Sequence, residues 1–418
     1  MVQLERYFMT ETEGSPAGGT LADAQRRWFR PPRAHGEIIE DRTVSFLELF
    51  YDLVFVVLVA QLAHTLADHV DWTGFRNFAI VFGLIWIAWI NGTLYHELHG
   101  GEDGRSRMYI FGQMTLMVPL AVFAGHAADD AADGRNFAIV YTLLLAFIAW
   151  QWFDVRRFDS PEWRPIAMRY VMGMGVIIAI VLASAFVDSV ETRVLMWAAA
   201  VLLTVVGNLA FMVMGERSEV MASATRTTDS MSERFGLFTI IVLGEVVVGV
   251  VDGLSEAEHN FRTIATGLLA LWIGFGFWWN YFDFIGRRIP RQGRERIVWM
   301  YTHFPLALCI SAAGAAMVKL VEHAADGRTP AATAWLLAAT TAGVALCIAI
   351  LIRTFDQRPG HVLVPYTMVG AAAAALVLGA LRPAPWLFVL FLGFVISVPW
   401  QESFLRHSRL GQPFIIED

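Results

Sequence analysis

The sequence is poor in charge and nearly free of cysteine. Charged residues make up 17% of its 418 positions and hydrophobic residues 56%, a balance foreign to ordinary soluble domains. The two cysteines, Cys309 and Cys347, stand apart inside apolar runs. That excludes a disulfide framework and a CxxC metal pair. A Walker motif, a GxSxG elbow and a Rossmann fingerprint are all missing, and the segments between apolar runs are too short for a soluble catalytic domain. ATP-driven transport by this chain alone is thereby excluded, and no catalytic residue, cofactor or bound metal is expected. The net charge of -7 gives no footing for nucleic acid. The first 40 or so residues are polar, with Gly, Pro and several Arg. They lack a short apolar core followed by a cleavage site, so no signal peptide is expected.

What the sequence does have is long apolar runs. A helix crosses the hydrocarbon core in about 20 residues, and twelve windows qualify: 45–67, 75–97, 107–126, 136–153, 167–187, 194–215, 233–252, 262–284, 297–319, 331–353, 361–381 and 385–404. Unpaired backbone polar groups are too costly in lipid for open strands, so these runs read as helices. The expected fold is all-α, a polytopic membrane helix bundle whose first partner is the lipid bilayer. Of the 31 Lys and Arg residues, 24 fall on the side shared by both termini and 7 on the other. The positive-inside rule puts both termini in the cytoplasm, and the expected location is a bacterial inner membrane. The aromatic run FGFWWNYFDF closes the eighth window beside Arg287 and Arg288, where an interfacial belt belongs.

Sliding the sequence against itself by 186 positions aligns Phe75-Arg76 with Phe261-Arg262, Trp86-Ile87 with Trp272-Ile273, Tyr95 with Tyr281, and Glu97 with Asp283. Pro119-Leu120-Ala121 meets Pro305-Leu306-Ala307 at the same offset. Six spans per repeat give both halves one membrane orientation, hence two parallel six-helix repeats. The expected division is an N-terminal arm read as flexible (1–44), a first repeat (45–215), a polar linker (216–231), a second repeat (232–404) and a tail (405–418). Pro119 and Pro305, at matched positions, are candidates for kinks that serve packing or gating.

Ionisable groups inside the hydrocarbon cost about 2.5–3.5 kcal/mol on insertion scales and persist only when paired or wetted. Glu48 and Asp52, one turn apart near the start of the first span, share a helix face. Two readings stand: they attract a cation or share a proton, or they clasp arginines from neighbouring helices. Glu245 lies about 18 Å along its helix from Glu233, near mid-membrane, with no basic residue in its window. It is a candidate for ion or proton handling, the alternative being a neutral acid hydrogen-bonded between helices. Gly244 and Gly249 would admit a close neighbour, and His303 or His64 are candidate partners. The HELH stretch at 96–99 lacks the metalloprotease HExxH spacing.

The segments SFLELFYDLVFVVLVAQL and ERFGLFTIIVLGEVVVGV resemble the two best-marked stretches of the bacterial low temperature requirement A family. The likeness runs from about Thr43 to the last span and implies a multi-pass membrane protein linked by name to growth in the cold. The pattern Glu48-x-Phe50-x-Asp52-x-Val54-Phe55 also resembles the first helix of the lysosomal and prokaryotic potassium channels built from six-helix repeats with a Phe-Ser-Asp motif. That resemblance implies Phe50 and Asp52 as motif positions, Val57 as an apolar constriction, and a homodimer of double-repeat chains. Here Tyr51 replaces the Ser, and the second half has Gly236 and Leu237 in place of Ser-Asp. The function expected is an ion or small-solute permease or channel, with an inorganic cation or proton as partner. A membrane scaffold or sensor, and a membrane-embedded enzyme or cofactor carrier, are the alternatives.

Overall fold

The computed structural model describes residues 23, 28–35, 37, 42–215, 228–286, 288–356 and 361–410, apart from the side chains of 209–215 and 410. Twelve long helices follow one another: α1 (Phe46–Asp68), α2 (Trp72–His99), α3 (Gly104–Ala124), α4 (Ala131–Val155), α5 (Arg164–Ser184), α6 (Val190–Gly215), α7 (Asp229–Glu256), α8 (Phe261–Phe284), α9 (Arg294–Glu322), α10 (Ala331–Ile352), α11 (Val364–Leu381) and α12 (Pro385–Leu410). All twelve are long and apolar enough to cross a membrane, and no strand occurs among the described residues. Every expected window overlaps one helix. The helices overrun the windows at several ends because capped polar turns extend the hydrogen-bonded spiral past the apolar stretch. Ser45 and Glu48 form a reciprocal capping box at α1, and Asp71, Asp103, Asp130, Thr228 and Asn260 accept first-turn amides at α2, α3, α4, α7 and α8.

One order of neighbours recurs in the two sets of six. In the first, α1 touches α2 and α3, the chain proceeds α3 to α4 to α5 to α6, and α6 returns to α2. In the second, α7 touches α8 and α9, α9 leads through α10 and α11 to α12, and α12 returns to α8. The sets meet where α9 packs on α1, α2 and α6, and α7 packs on α1. Accordingly α2 and α9 are the most enclosed spans, while α5 and α6 are largely uncovered. Aromatic contacts cross this boundary, among them Trp86 on Phe304 at 5.1 Å, ring to ring, and Trp89 stacked on Phe238 at 4.2 Å. Pro119 and Pro305 stand inside α3 and α9, and each helix continues past its proline. In the aromatic run, Trp279 packs on Trp400, whose indole donates to Asp283 at 2.7 Å.

Most of the arm expected to be flexible lies outside the described residues, as do 216–227 of the linker and 411–418 of the tail. Within the arm, Arg33 and His35 dock on the bundle. Arg33 donates to the Gly100 and Glu97 carbonyls, each at 2.6 Å, and the amide of His35 donates to Asp159 at 2.8 Å.

Candidate functional site

Glu48 and Asp52 begin α1 on its inward face, as their spacing predicts, and they meet arginines there. The Asp52 carboxylate is fully buried and accepts from Arg234 Nε at 3.2 Å, Arg234 Nη2 at 3.1 Å and the Trp89 indole at 2.8 Å. Arg234 comes from the first turns of α7 and is itself buried. Its second amino group lies 3.6 Å from Glu48, which also binds Arg42 at 2.5 Å. Arg42 goes on to pair with Glu97 at the end of α2, and Glu97 accepts from the Thr228 and Ser230 hydroxyls at 2.6 and 2.8 Å. Three carboxylates thus face two guanidiniums, with hydroxyl donors directed at the third acid. The arrangement is a clasp that ties α1, α2 and the arm to the start of α7. It consumes the lone pairs that a cation would need.

Glu245 has a different setting. It is buried, 6% exposed, and has no hydrogen bond or ion pair among the described residues. It lines a cleft of about 390 Å³ between α1, α7 and α9, shared with Gln61 and His64 of α1 and Asp252 of α7. Gln61 and His64 are three residues apart, and Glu245 and Asp252 seven, so each pair lies along one helix face. Small neighbours such as Ala60, Ala63 and Ala315 leave the space open. Two carboxylates, an imidazole and an amide around a space with room for several waters can bind a small cation or pass a proton. A buried acid without a partner among the described residues needs such company.

The structure places His64 in the same cleft as Glu245, while His303 is engaged elsewhere. His303 is held by the Tyr281 hydroxyl at 2.9 Å and donates through Nδ1 to the Trp299 carbonyl at 2.7 Å, so both ring nitrogens are engaged. Gly249 performs as expected: a Cβ there would collide with the Gly314 carbonyl of α9. Gly244 does not, since a Cβ there would meet open space. It points along a different helix face, toward an apolar groove with Trp272 and Trp278. Phe50 and Val57 are half-exposed on the outer face of α1. Val57, five residues beyond Asp52, is thus turned away from the inward face that carries Glu48 and Asp52.

α1 and α7, which build both the clasp and the cleft, are the two helices whose sequences carry the family resemblance. A profile of the bacterial low temperature requirement A protein (LtrA) matches residues 43–398, nearly the whole chain. The chain belongs to this family. An uncharacterized protein of Rhizobium meliloti (strain 1021) is 25% identical over 323 residues, spanning 70% of this chain and 71% of its own length. With twelve apolar helices and LtrA membership, the chain is a multi-pass membrane protein.

Several participants escaped the sequence reading. Arg234 counted there only as a charge on the basic side, yet the 186-residue offset places it opposite Glu48, an acid in one repeat answered by a base in the other. Asp252 was signalled by its spacing of seven from Glu245, and Gln61 by its spacing of three from His64. Trp89 carried no signal, because an indole in an apolar run looks like core until its acceptor is placed.

Proposed function

We propose that this LtrA-family protein is a permease or channel for small monovalent cations, the proton included, and that the cleft at Glu245 is part of the path. The observation that supports the reading is Glu245 itself, a buried carboxylate without a partner among the described residues, opening on a cleft with Asp252, His64 and Gln61. A purely structural acid at that depth would be hydrogen-bonded to a neighbouring helix. In this reading the chain performs no covalent chemistry and sits in the bacterial inner membrane with both termini cytoplasmic. The clasp at Asp52 is its rigid cytoplasmic end, and two copies associate. Conduction of this kind would support growth in the cold by sustaining ion balance across a stiffened bilayer.

The test is flux in liposomes carrying the purified protein, read for proton, sodium and potassium under imposed gradients and voltage. Glu245→Gln keeps the shape and removes the charge. It is expected to cut flux at least tenfold while the melting temperature in detergent stays within a few degrees, with Asp252→Asn giving a smaller loss. Absence of flux for all three ions in the unmodified protein would sink the reading and leave a scaffold or sensor in its place. Equal flux in Glu245→Gln would move the path elsewhere.

A further inference from the structure

His35 in the arm, His99 at the end of α2 and Asp159 between α4 and α5 converge in a buried cluster, all three less than 10% exposed. One donor atom of each lies within 4.8 Å of those of the other two. The two imidazole rings meet edge to face at 4.4 Å, and His35 is stacked on Trp163.

The hydrogen bonds fix which ring nitrogen is free. His99 Nδ1 lies 2.7 Å from the Arg33 carbonyl oxygen, which can only accept, so Nδ1 carries the proton. His35 Nδ1 lies 2.9 Å from an Asp159 carboxylate oxygen, an acceptor when ionised, so the same holds there. In its neutral form a ring so held presents a lone pair at Nε2. Both Nε2 atoms are buried and have no hydrogen-bond partner among the described residues. Two lone pairs cannot satisfy one another. Imidazoles whose Nδ1–H groups are held by a carbonyl and a carboxylate while Nε2 stays open have the outer-shell pattern of metal-binding histidines.

We propose that His35 and His99 bind one divalent transition-metal ion of the zinc class through Nε2, with Asp159 orienting His35 and offsetting part of the charge. Imidazole nitrogen suits zinc, copper and nickel, and excludes calcium and magnesium, which want oxygen. Zinc takes four ligands, with nitrogen at about 2.0–2.1 Å. Binding would require both rings to turn their Nε2 atoms toward one ion, and water would complete the shell. The ion would pin the arm to the end of α2 and to the α4–α5 connection, next to the Arg33 contacts that already tether it. The site is separate from the Glu245 cleft and stands or falls independently of it.

The test uses the full chain, purified in detergent with a histidine-free tag and stripped of metal. Titration with zinc is expected to show one high-affinity site per chain. Cobalt in its place is expected to give the visible absorption of low-coordinate nitrogen ligation. His99→Gln and His35→Ala should each weaken zinc binding at least a hundredfold, and Asp159→Asn about 10–100-fold. Zinc should raise the melting temperature of the unmodified protein and leave that of His35→Ala unchanged. Because His35→Ala alters only the arm, the bundle is expected to stay folded, which separates lost binding from lost structure. No zinc or cobalt binding at micromolar concentration, or equal binding in the variants, overturns the proposal.

Discussion

Arg234→Ala is expected to destabilise the protein by about 3–5 kcal/mol, the cost of stripping one partner from a buried ion pair. The loss arises mainly from what remains. Asp52 is fully buried on α1, and without Arg234 only the Trp89 indole would face its charge. Glu48 would keep Arg42 but lose the second guanidinium. The double variant Asp52→Asn/Arg234→Met should recover more than half of the loss, since no charge is then stranded. The Asn oxygen still accepts from Trp89, and Met fills much of the volume of the arginine stem. Melting temperature in detergent reads both effects. A single variant as stable as the unmodified protein would mean that water reaches Asp52 and that the clasp is open in solution.

The architecture was legible in the sequence because membrane folding leaves few options. Twelve apolar runs had to become twelve helices, and the matched Trp, Tyr and Pro residues at one offset pointed to two repeats, in whose two sets of six one order of neighbours recurs. The positions of Glu48 and Asp52 on one inward face followed from helical periodicity. Which of their two readings holds did not, because it depends on where α7 enters the bundle. Arg234 reaches Asp52 across 182 positions of sequence, and no local pattern encodes that meeting. Glu245 was visible as an acid without a local counter-charge. Its cleft was not visible, because alanines at 60, 63 and 315 look like filler until three helices surround them. The His35 cluster was the least legible. His99 stood in the HELH stretch, but its two companions come from the arm and from a connection between spans.

The two glycines on α7 are expected to respond to the same substitution with opposite signs. At Gly249 the backbones of α7 and α9 are in direct contact. A Cβ there would collide with the Gly314 carbonyl, and one on Gly314 would collide with the carbonyl of Glu245. Carbonyls inside helices cannot rotate aside as a side chain can. Gly249→Ala must therefore push α7 and α9 apart at the turn that carries Glu245, at a cost of about 1–3 kcal/mol. At Gly244 a methyl group enters empty space, and alanine is the better helix former by up to about 1 kcal/mol. Gly244→Ala should therefore leave the melting temperature unchanged or raise it, while Gly249→Ala lowers it by several degrees. Flux should follow the same division, because only Gly249 borders the cleft: altered in Gly249→Ala and preserved in Gly244→Ala. Equal shifts in both variants would show that α7 and α9 do not meet backbone to backbone, and the cleft would then have to be redrawn with a wider opening at Glu245.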